Sequence, residues 1–324
     1  MTVDLKILKQ VLSLPTAPYH EQAVQKYIRN FCEALAIPYQ EDSYGNIKVH
    51  YKKGRGRKVA FVAHMDHPGF KVIKGGKNPL VELLGGVPDK FFLRSKVVFC
   101  KGDLQIKGRV VKMQNKKKRR FFCVATEAVP EKSFGYLDFH GLVLKNGNIV
   151  SKACDNLVSV SILLNLLKVL KTNKKKADIV CLFTRAEEVG FVGAKQAVRS
   201  KFITTKQPVI VLEASSAKAG KVLIGGGPVL RVGDSVSVFS REVELNLRAV
   251  AEKLKKQDKK FFYQRALLAG GRCEAALFTA QGYQSGCLAF PLGNYHNRGL
   301  TKTAPEYISL ADYKKMLTWL TQLV

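Results

Sequence analysis

The sequence lacks any long apolar run. No segment approaches the roughly 18 to 20 uninterrupted apolar residues that a membrane-spanning helix needs. Its opening residues, MTVDLKILKQ, mix charged and apolar side chains and lack the apolar block of a secretory signal peptide. We therefore expect no membrane span and a cytoplasmic location.

Paired cysteines are also missing. The seven cysteines are odd in number and scattered along the chain, and no C-x-x-C motif occurs. Most of them lie among apolar neighbours, where a reduced cysteine behaves as a small core residue. We expect neither a disulfide framework nor a cysteine-based metal site.

Acidic residues are scarce, because 25 Asp and Glu face 54 Lys and Arg, a formal charge of +29. A surface this basic attracts nucleic acid or anionic membranes at low salt. The charge is concentrated in three runs, at residues 116–120, 174–176 and 253–260. Aromatic residues follow two of these runs but do not interleave them, as stacking on single strands requires, and no DNA-binding motif is visible. We expect solvated basic turns and no specific nucleic-acid partner.

The apolar residues that are present predict a large packed core. They make up 46% of the 324 residues, and only 11 residues are proline. Amphipathic stripes predict two helices at the start of the chain, one containing Leu5 to Leu12 and one containing Val24 to Leu35. Strand-like segments follow at Asn46 to Tyr51 and Lys58 to Ala63, separated by the turn sequence KKGRGR.

From Leu157 onward, predicted helices and strands alternate. The predicted helices are Leu157 to Leu170, Glu188 to Val198, Val243 to Leu254, Glu274 to Gln281 and Ile308 to Leu323. The predicted strands are Ala177 to Phe183, Pro208 to Leu212, Phe261 to Leu268 and Gly286 to Phe290. This alternation predicts an α/β fold, with a mostly parallel mixed sheet flanked by helices.

The segment between residues 70 and 149 has a different pattern. Its short strand-like runs are separated by Gly, Asn and Lys turns, and it contains no convincing helix. We interpret it as a small inserted β-barrel domain. Residues 1–69 and 150–324 would then form one discontinuous α/β domain.

Metal-ligand residue types stand at or just beyond the ends of predicted elements, where open α/β sheets gather their active sites. They are His64 and Asp66 after the second strand, Asp155 at a helix start, Glu187 and Glu188 after a buried strand, Glu213 at a strand end, and His296 in a late loop. Singly, each has a plain interpretation as a helix cap, a surface acid or a loop histidine. Together they offer two imidazoles and three carboxylates, plus a spare glutamate. That set would hold two zinc-like ions about 3.5 Å apart.

Two further roles follow from the chemistry of such a site. A ligating histidine needs its far ring N–H held by an acceptor, which Asp66 could supply to His64. Adjacent glutamates at an element junction can point in different directions, so one can bind metal while the other accepts a proton from water. His67, which precedes Pro68, is assigned a loop role and not a ligand role.

The segments HMDHPGF, ACDN, RAEEVGFVGA and IGGGPVL resemble the dinuclear metal aminopeptidases, which include glutamyl aminopeptidase and the tetrahedral, self-assembling aminopeptidases. The resemblance covers essentially the whole chain and implies a zinc-exopeptidase-like fold. The position of the insertion, between Asp66 and Asp155, matches these aminopeptidases. Related carboxypeptidases and deacylases place their satellite domain later, before the final histidine.

The resemblance implies hydrolysis of the N-terminal peptide bond by a water that bridges two divalent metal ions, with zinc expected first and cobalt or manganese as alternatives. The implied ligands are His64, Asp155 and Glu213 for one ion, and Asp155, Glu188 and His296 for the other. Glu187 would be the general base. Asp66 is the second predicted catalytic residue and would support the His64 ring. The resemblance also implies a cis peptide bond between Asp155 and Asn156.

The implied partners are peptide substrates and further copies of the chain, in a dimer or dodecamer that the barrel helps to form. Three positions depart from the family pattern. His67 replaces a usual glutamate, Arg272-Cys273 replaces threonine-aspartate, and Glu213 stands where aspartate is frequent. Two alternatives therefore stay open, another two-metal amide hydrolase such as a carboxypeptidase or deacylase, and an altered homologue that only binds peptides.

Overall fold

A computed structural model of the chain describes residues 3–56, 58–217, 222–268 and 270–324. The helices are α1 Leu5–Ser13, α2 Gln22–Ala34, α3 Asp89–Phe92, α4 Cys154–Thr172, α5 Val192–Arg199, α6 Arg241–Gln257, α7 Glu274–Ala280 and α8 Leu310–Leu323. The first strands are β1 Tyr39–Glu41, β2 Ile47–Lys53, β3 Lys58–His64, β4 Gly69–Lys74, β5 Leu80–Leu84, β6 Lys96–Lys101, β7 Leu104–Asn115, β8 Arg120–Ala125 and β9 Phe134–Leu137. The later strands are β10 Val143–Lys145, β11 Asn148–Ser151, β12 Ala177–Thr184, β13 Val209–Ser216, β14 Val229–Gly233, β15 Gln264–Leu267, β16 Ser285–Leu292 and β17 Glu306–Ser309.

The main sheet has eight strands in the order β1-β2-β12-β3-β13-β16-β14-β15. Strands β12, β3, β13 and β16 at its centre are mutually parallel, whereas β2 and β14 flank them antiparallel. The central strands are almost entirely buried and rich in Val, Leu, Ala and Phe, as parallel strands covered on both faces need to be. The predicted fold class is confirmed.

Helices cover both faces of this sheet. Helix α4 packs against α1 and α8 on one side and against β3 and β13 on the other. Because it has neighbours all round, every one of its residues from Leu157 to Leu167 is buried, including two serines and an asparagine. On the opposite face, α5 and α7 close a second apolar cluster over the same strands.

The inserted segment contains a closed barrel with strand order β4-β5-β8-β7-β6-β9. Its core includes Phe70, Phe92, Phe99 and Phe121, whose rings meet in tilted or edge contacts with centroids 5.0 to 5.8 Å apart. After the barrel, β11 pairs with β10 on one side and on the other with β17, which precedes the last helix. The division of the chain into domains at residues 70 and 149 stays a prediction.

Several predicted element ends were wrong. The helix expected from Glu188 begins at Val192, because residues 185–191 form a turn in which Ala186 and Phe191 have positive φ values of 51° and 59°. The helix expected from Ile308 begins at Leu310, since β17 first pairs with β11. The strand expected from Phe261 begins at Gln264. Short strands such as β1, β9 and β17 were missed, because their pairing depends on distant partners and not on local pattern.

The three basic runs lie at turns or helix ends, as expected. Residues 116–118 are exposed between β7 and β8, residues 174–176 follow α4, and residues 253–260 end α6. All seven cysteines are buried and unpaired, as expected. Among the described residues, no helix has the length and apolar character needed to cross a membrane.

Candidate metal centre

The predicted ligands converge at the carboxyl ends of the central parallel strands. His64 is the last residue of β3, and Glu213 lies near the end of β13. Asp155 lies at the start of α4, where its peptide bond to Asn156 is cis. Side-chain donor atoms within 4.8 Å of one another form two groups, His64 with Asp155 and Glu213, and Asp155 with Glu188 and His296. Asp155 belongs to both groups.

The spacing of these donor atoms suits metal ligation. His64 Nε2 lies 3.3 Å from Asp155 Oδ1 and 3.5 Å from Glu213 Oε1. His296 Nε2 lies 3.3 Å from Glu188 Oε2 and 3.7 Å from Asp155 Oδ2. Two ligand atoms that each lie about 2.1 Å from a tetrahedral ion are about 3.4 Å apart. Asp155 therefore turns one carboxylate oxygen toward each group.

Three carboxylate oxygens of the site have no hydrogen-bond partner among the described residues. They are Asp155 Oδ1, Glu188 Oε1 and Glu213 Oε2, and all three are buried. Burying unpaired carboxylate oxygens is costly unless a cation compensates them. The chemistry and spacing of these residues thus fit a pair of divalent ions.

The pKa shifts of the two histidines reflect the many carboxylates around them. Burial lowers the pKa of His296, but Glu188, Asp155 and Glu306 outweigh this effect and raise it to about 9. Burial likewise opposes the charged form of His64, yet neighbouring carboxylates raise its pKa well above the ordinary value. Both shifts follow from the carboxylates that surround the two rings, an arrangement that favours cations.

Asp66 holds more of the site than the sequence suggested. Its Oδ1 lies 3.4 Å from His64 Nδ1 and its backbone oxygen lies at 3.2 Å, so Asp66 offers this ring nitrogen two acceptors. The same carboxylate also accepts the backbone N–H groups of Glu187 at 2.9 Å and of Glu188 at 3.1 Å. Residue spacing gave no signal for this second function, because any residue type supplies a backbone N–H.

The adjacent glutamates face different partners, as the sequence led us to expect. Glu187 Oε2 is directed toward His64, with 4.0 Å between Oε2 and Nε2, whereas Glu188 is directed toward His296. Burial raises the pKa of Glu187 well above its ordinary value, and the Glu213 and Glu188 carboxylates add to the shift while His64 opposes it. Glu187 is therefore a buried carboxylate with increased affinity for a proton.

The loop that carries His296 depends on Glu306, which sequence reasoning missed. Glu306 Oε1 accepts the backbone N–H of His296 at 2.7 Å, and its Oε2 accepts that of Asp155 at 2.9 Å. On the other side, a Cβ added at Gly86 of the barrel would overlap with Nδ1 of the His296 ring. The imidazole is thus confined between the α/β body and the barrel.

A cavity of about 540 Å³ opens beside the two groups of ligand atoms. Phe191 and Leu268 form part of its wall, and three arginines, Arg231, Arg272 and Arg298, also line it. Arg231 is 5% exposed and donates to the carbonyl oxygens of Gly233, Leu268 and Gly271. None of the three arginines forms an ion pair with a carboxylate in the described part of the chain, where the paired arginines are others.

Comparison with known proteins identifies the family. A sequence profile described as M42 glutamyl aminopeptidase matches residues 124–317. A protein of Acetivibrio thermocellus that is named as an aminopeptidase is 24% identical over 307 residues, which cover 90% of this chain and 91% of that protein.

Solved structures show the same fold. The TET1 peptidase of Pyrococcus horikoshii is 21% identical and has a TM-score of 0.80, with 98% of each chain covered. An aminopeptidase of the archaeon Desulfurococcus kamchatkensis is 20% identical and has a TM-score of 0.82, with 98% of this chain and 93% of that chain covered. The resemblance inferred from the motifs is confirmed. The chain belongs to the M42 glutamyl aminopeptidase family, and it is a metal-dependent peptidase.

Proposed function

We propose that this protein is an aminopeptidase that releases the N-terminal residue of peptides with the help of two divalent metal ions, with zinc as the first candidate and cobalt or manganese as alternatives. The observation that carries the proposal is the pair of ligand groups that share Asp155. One group would hold one ion through His64 and Glu213, and the other would hold the second ion through Glu188 and His296.

Each residue then has a distinct task. When bound, the metal ions supply Lewis acidity to the scissile carbonyl and lower the pKa of the attacking water. Glu187 is buried beside both groups, so it can take the proton from that water and pass it to the leaving amine. Asp66 keeps Glu187 in place through the backbone and His64 in place through its ring.

The position of the barrel favours an aminopeptidase over a carboxypeptidase or a deacylase. The barrel strands lie between Asp66 and Asp155, whereas the 82 residues that separate Glu213 from His296 contain β14, α6, β15, α7 and β16 of the main body. The presence of all ligand types at short range also argues against a protein that only binds peptides.

The arginines of the cavity favour an acidic first residue in the substrate. Arg231 places a buried positive charge in the wall, and Arg272 and Arg298 are exposed at the opening. A glutamate or aspartate side chain could pair with these guanidinium groups, which lack carboxylate partners of their own among the described residues. The free α-amine of the same substrate would be attracted to the carboxylates around the metal ions.

We further propose that the protein assembles with copies of itself, using the segment 70–149 as a separate domain for substrate access and subunit contacts. The TET1 peptidase of Pyrococcus horikoshii, with the same fold, is described as forming a tetrahedron or a large octahedral shell. A related structure is described as a dodecamer.

Light scattering of the purified protein should give a mass of at least two chains, and a monomeric mass would contradict this proposal.

The activity should be tested with aminoacyl p-nitroanilides after chelation and after addition of zinc, cobalt or manganese. We expect hydrolysis of substrates with a free amine, loss of activity with chelator, and recovery with metal. N-acetylated p-nitroanilides serve as the matched control and should not react. Turnover restricted to blocked or C-terminal substrates would contradict the aminopeptidase proposal, and activity that survives full metal removal would contradict the metal mechanism.

Replacement of the proposed base should separate chemistry from metal binding. Glu187→Gln is expected to lower kcat by about 10²- to 10⁴-fold, because the proton acceptor is lost, while the metal content stays at the wild-type value. Glu127→Gln, on the exposed surface of the barrel, is the control and should leave both quantities unchanged. A variant that loses metal without losing activity would show that Glu187 is not the base.

The acidic preference should depend on Arg272. In Arg272→Gln we expect kcat/KM for glutamyl p-nitroanilide to fall about 10- to 100-fold relative to the leucyl substrate, since a charged hydrogen bond is lost. Arg109→Gln removes a positive charge from the exposed face of β7 and should not change the ratio. If the wild-type enzyme prefers leucyl or lysyl substrates, the arginines do not select the substrate.

A further inference from the structure

We propose that His67 is a positioning residue which, through Asn297, fixes the His296 loop against Asp155 and so sets the geometry of the group formed by Asp155, Glu188 and His296. The inference rests on the proposed two-metal function. It assigns a function to a side chain that departs from the family pattern and lies outside both ligand groups.

The His67 ring connects two separate segments of the chain. It is 3% exposed and immediately follows Asp66, whose position is fixed by the turn with the two glutamates. Its Nε2 lies 2.9 Å from Oδ1 of Asn297 and donates to it. The backbone oxygen of Asp155, which its Nδ1 contacts, is also an acceptor, and a neutral ring can donate to only one of the two. The ring is therefore hydrogen-bonded to the loop that carries His296 and packs against the start of α4.

Asn297 extends this connection. Its side chain is buried, and Nδ2 donates to the backbone oxygen of Lys152 at 2.9 Å. A carbonyl oxygen can only accept, so the amide nitrogen must face Lys152 and the amide oxygen must face His67. The amide orientation is therefore determined by the contacts. A continuous series of contacts runs from Lys152 through Asn297 and His67 to Asp155.

The His296 loop needs such restraint because its backbone is strained. Asn294, His296 and Asn297 have φ values of 55°, 55° and 56°, in the left-handed region that residues with a Cβ rarely adopt. This conformation is unfavourable for residues with a Cβ, though less so for asparagine, and surrounding contacts must impose it. Glu306 holds the loop by the backbone N–H of His296, and His67 holds it by the side chain of Asn297.

The effect should be selective for one ligand group. His64 ends β3 and has its own support from Asp66, and Glu213 lies within β13. His296 lies in a loop, so its position relative to Asp155 depends on the contacts that cross between them. Loss of the His67 contacts should displace His296 and leave the His64 and Glu213 side nearly unchanged.

The test is a calorimetric titration of cobalt into metal-free protein, which measures the affinity of each class of binding site. His296→Ala identifies the binding class that depends on the His296 group. His67→Ala should weaken that same class about 10- to 100-fold, the usual effect of losing a residue that orients a ligand, and change the other class by less than about twofold. His50→Ala is the matched control, because His50 lies on β2, pairs with Asp178 of β12 and should affect neither class.

A double-mutant cycle tests the connection between the two side chains. Because His67 and Asn297 act in series, the effects of His67→Ala and Asn297→Ala on cobalt affinity should combine to less than their sum. Thermal unfolding of the metal-free proteins should show the same coupling. If His67→Ala fails to fold, His67→Gln takes its place in the cycle. The glutamine amide keeps an N–H donor, so the expected loss of affinity is smaller.

The outcomes separate this inference from the proposed function. Additive effects in the cycle, equal weakening of both classes, or no weakening at all would overturn the positioning function of His67. Wild-type protein that binds fewer than two cobalt ions would overturn the two-metal function. Coupling in the unfolding of the metal-free variants would then still establish the contact between His67 and Asn297, but without a consequence for metal binding.

Discussion

The structure depends on negative charge that is buried at the carboxyl edge of the central strands. Asp66, Asp155, Glu187, Glu213 and Glu306 are each at most 9% exposed, and all lie around two imidazoles. Mutual repulsion and loss of hydration make such a cluster unfavourable by itself. In the proposed centre, two resident cations would remove most of that cost.

Backbone N–H groups keep the carboxylates in place. Asp66 accepts two of them from the turn after β12, and Glu306 accepts one from Asp155 at the start of α4 and one from His296. These two residues bind no metal in the proposed centre. They instead fix the peptide units next to Glu187, Glu188, Asp155 and His296, so the ligands have little freedom to rearrange. Such orientation before binding is what a two-metal hydrolase requires of its supporting residues.

The sequence was sufficient for the parts of the molecule that follow local rules. Buried strands such as β3 and β13 are apolar runs, and the side chains at their ends are placed together by parallel pairing, so His64 and Glu213 could be proposed from position alone. Glu306 could not, because it lies on a strand of four residues whose pairing with β11 has no local signal. His67 was assigned to a loop because its partners, Asp155 and Asn297, are 88 and 230 residues away. The helix expected from Glu188 starts later for a related reason, since Asp66 holds the backbone of Glu187 and Glu188 in a turn.

The barrel also contributes to the metal centre, and one arginine of a basic run explains how. Arg119 belongs to the run at residues 116–120, but it is half-buried and does not extend into solvent as Lys116 to Lys118 do. Its guanidinium donates to the carbonyl oxygens of Gly85 and Val87 and pairs with Asp89 at 2.9 Å. These contacts fix the loop that brings Gly86 against the His296 ring, at a point where a side chain would not fit. The barrel therefore contacts His296, the proposed ligand with the least support from the sheet. A change in the barrel that moves Gly86 can thus displace the His296 ring.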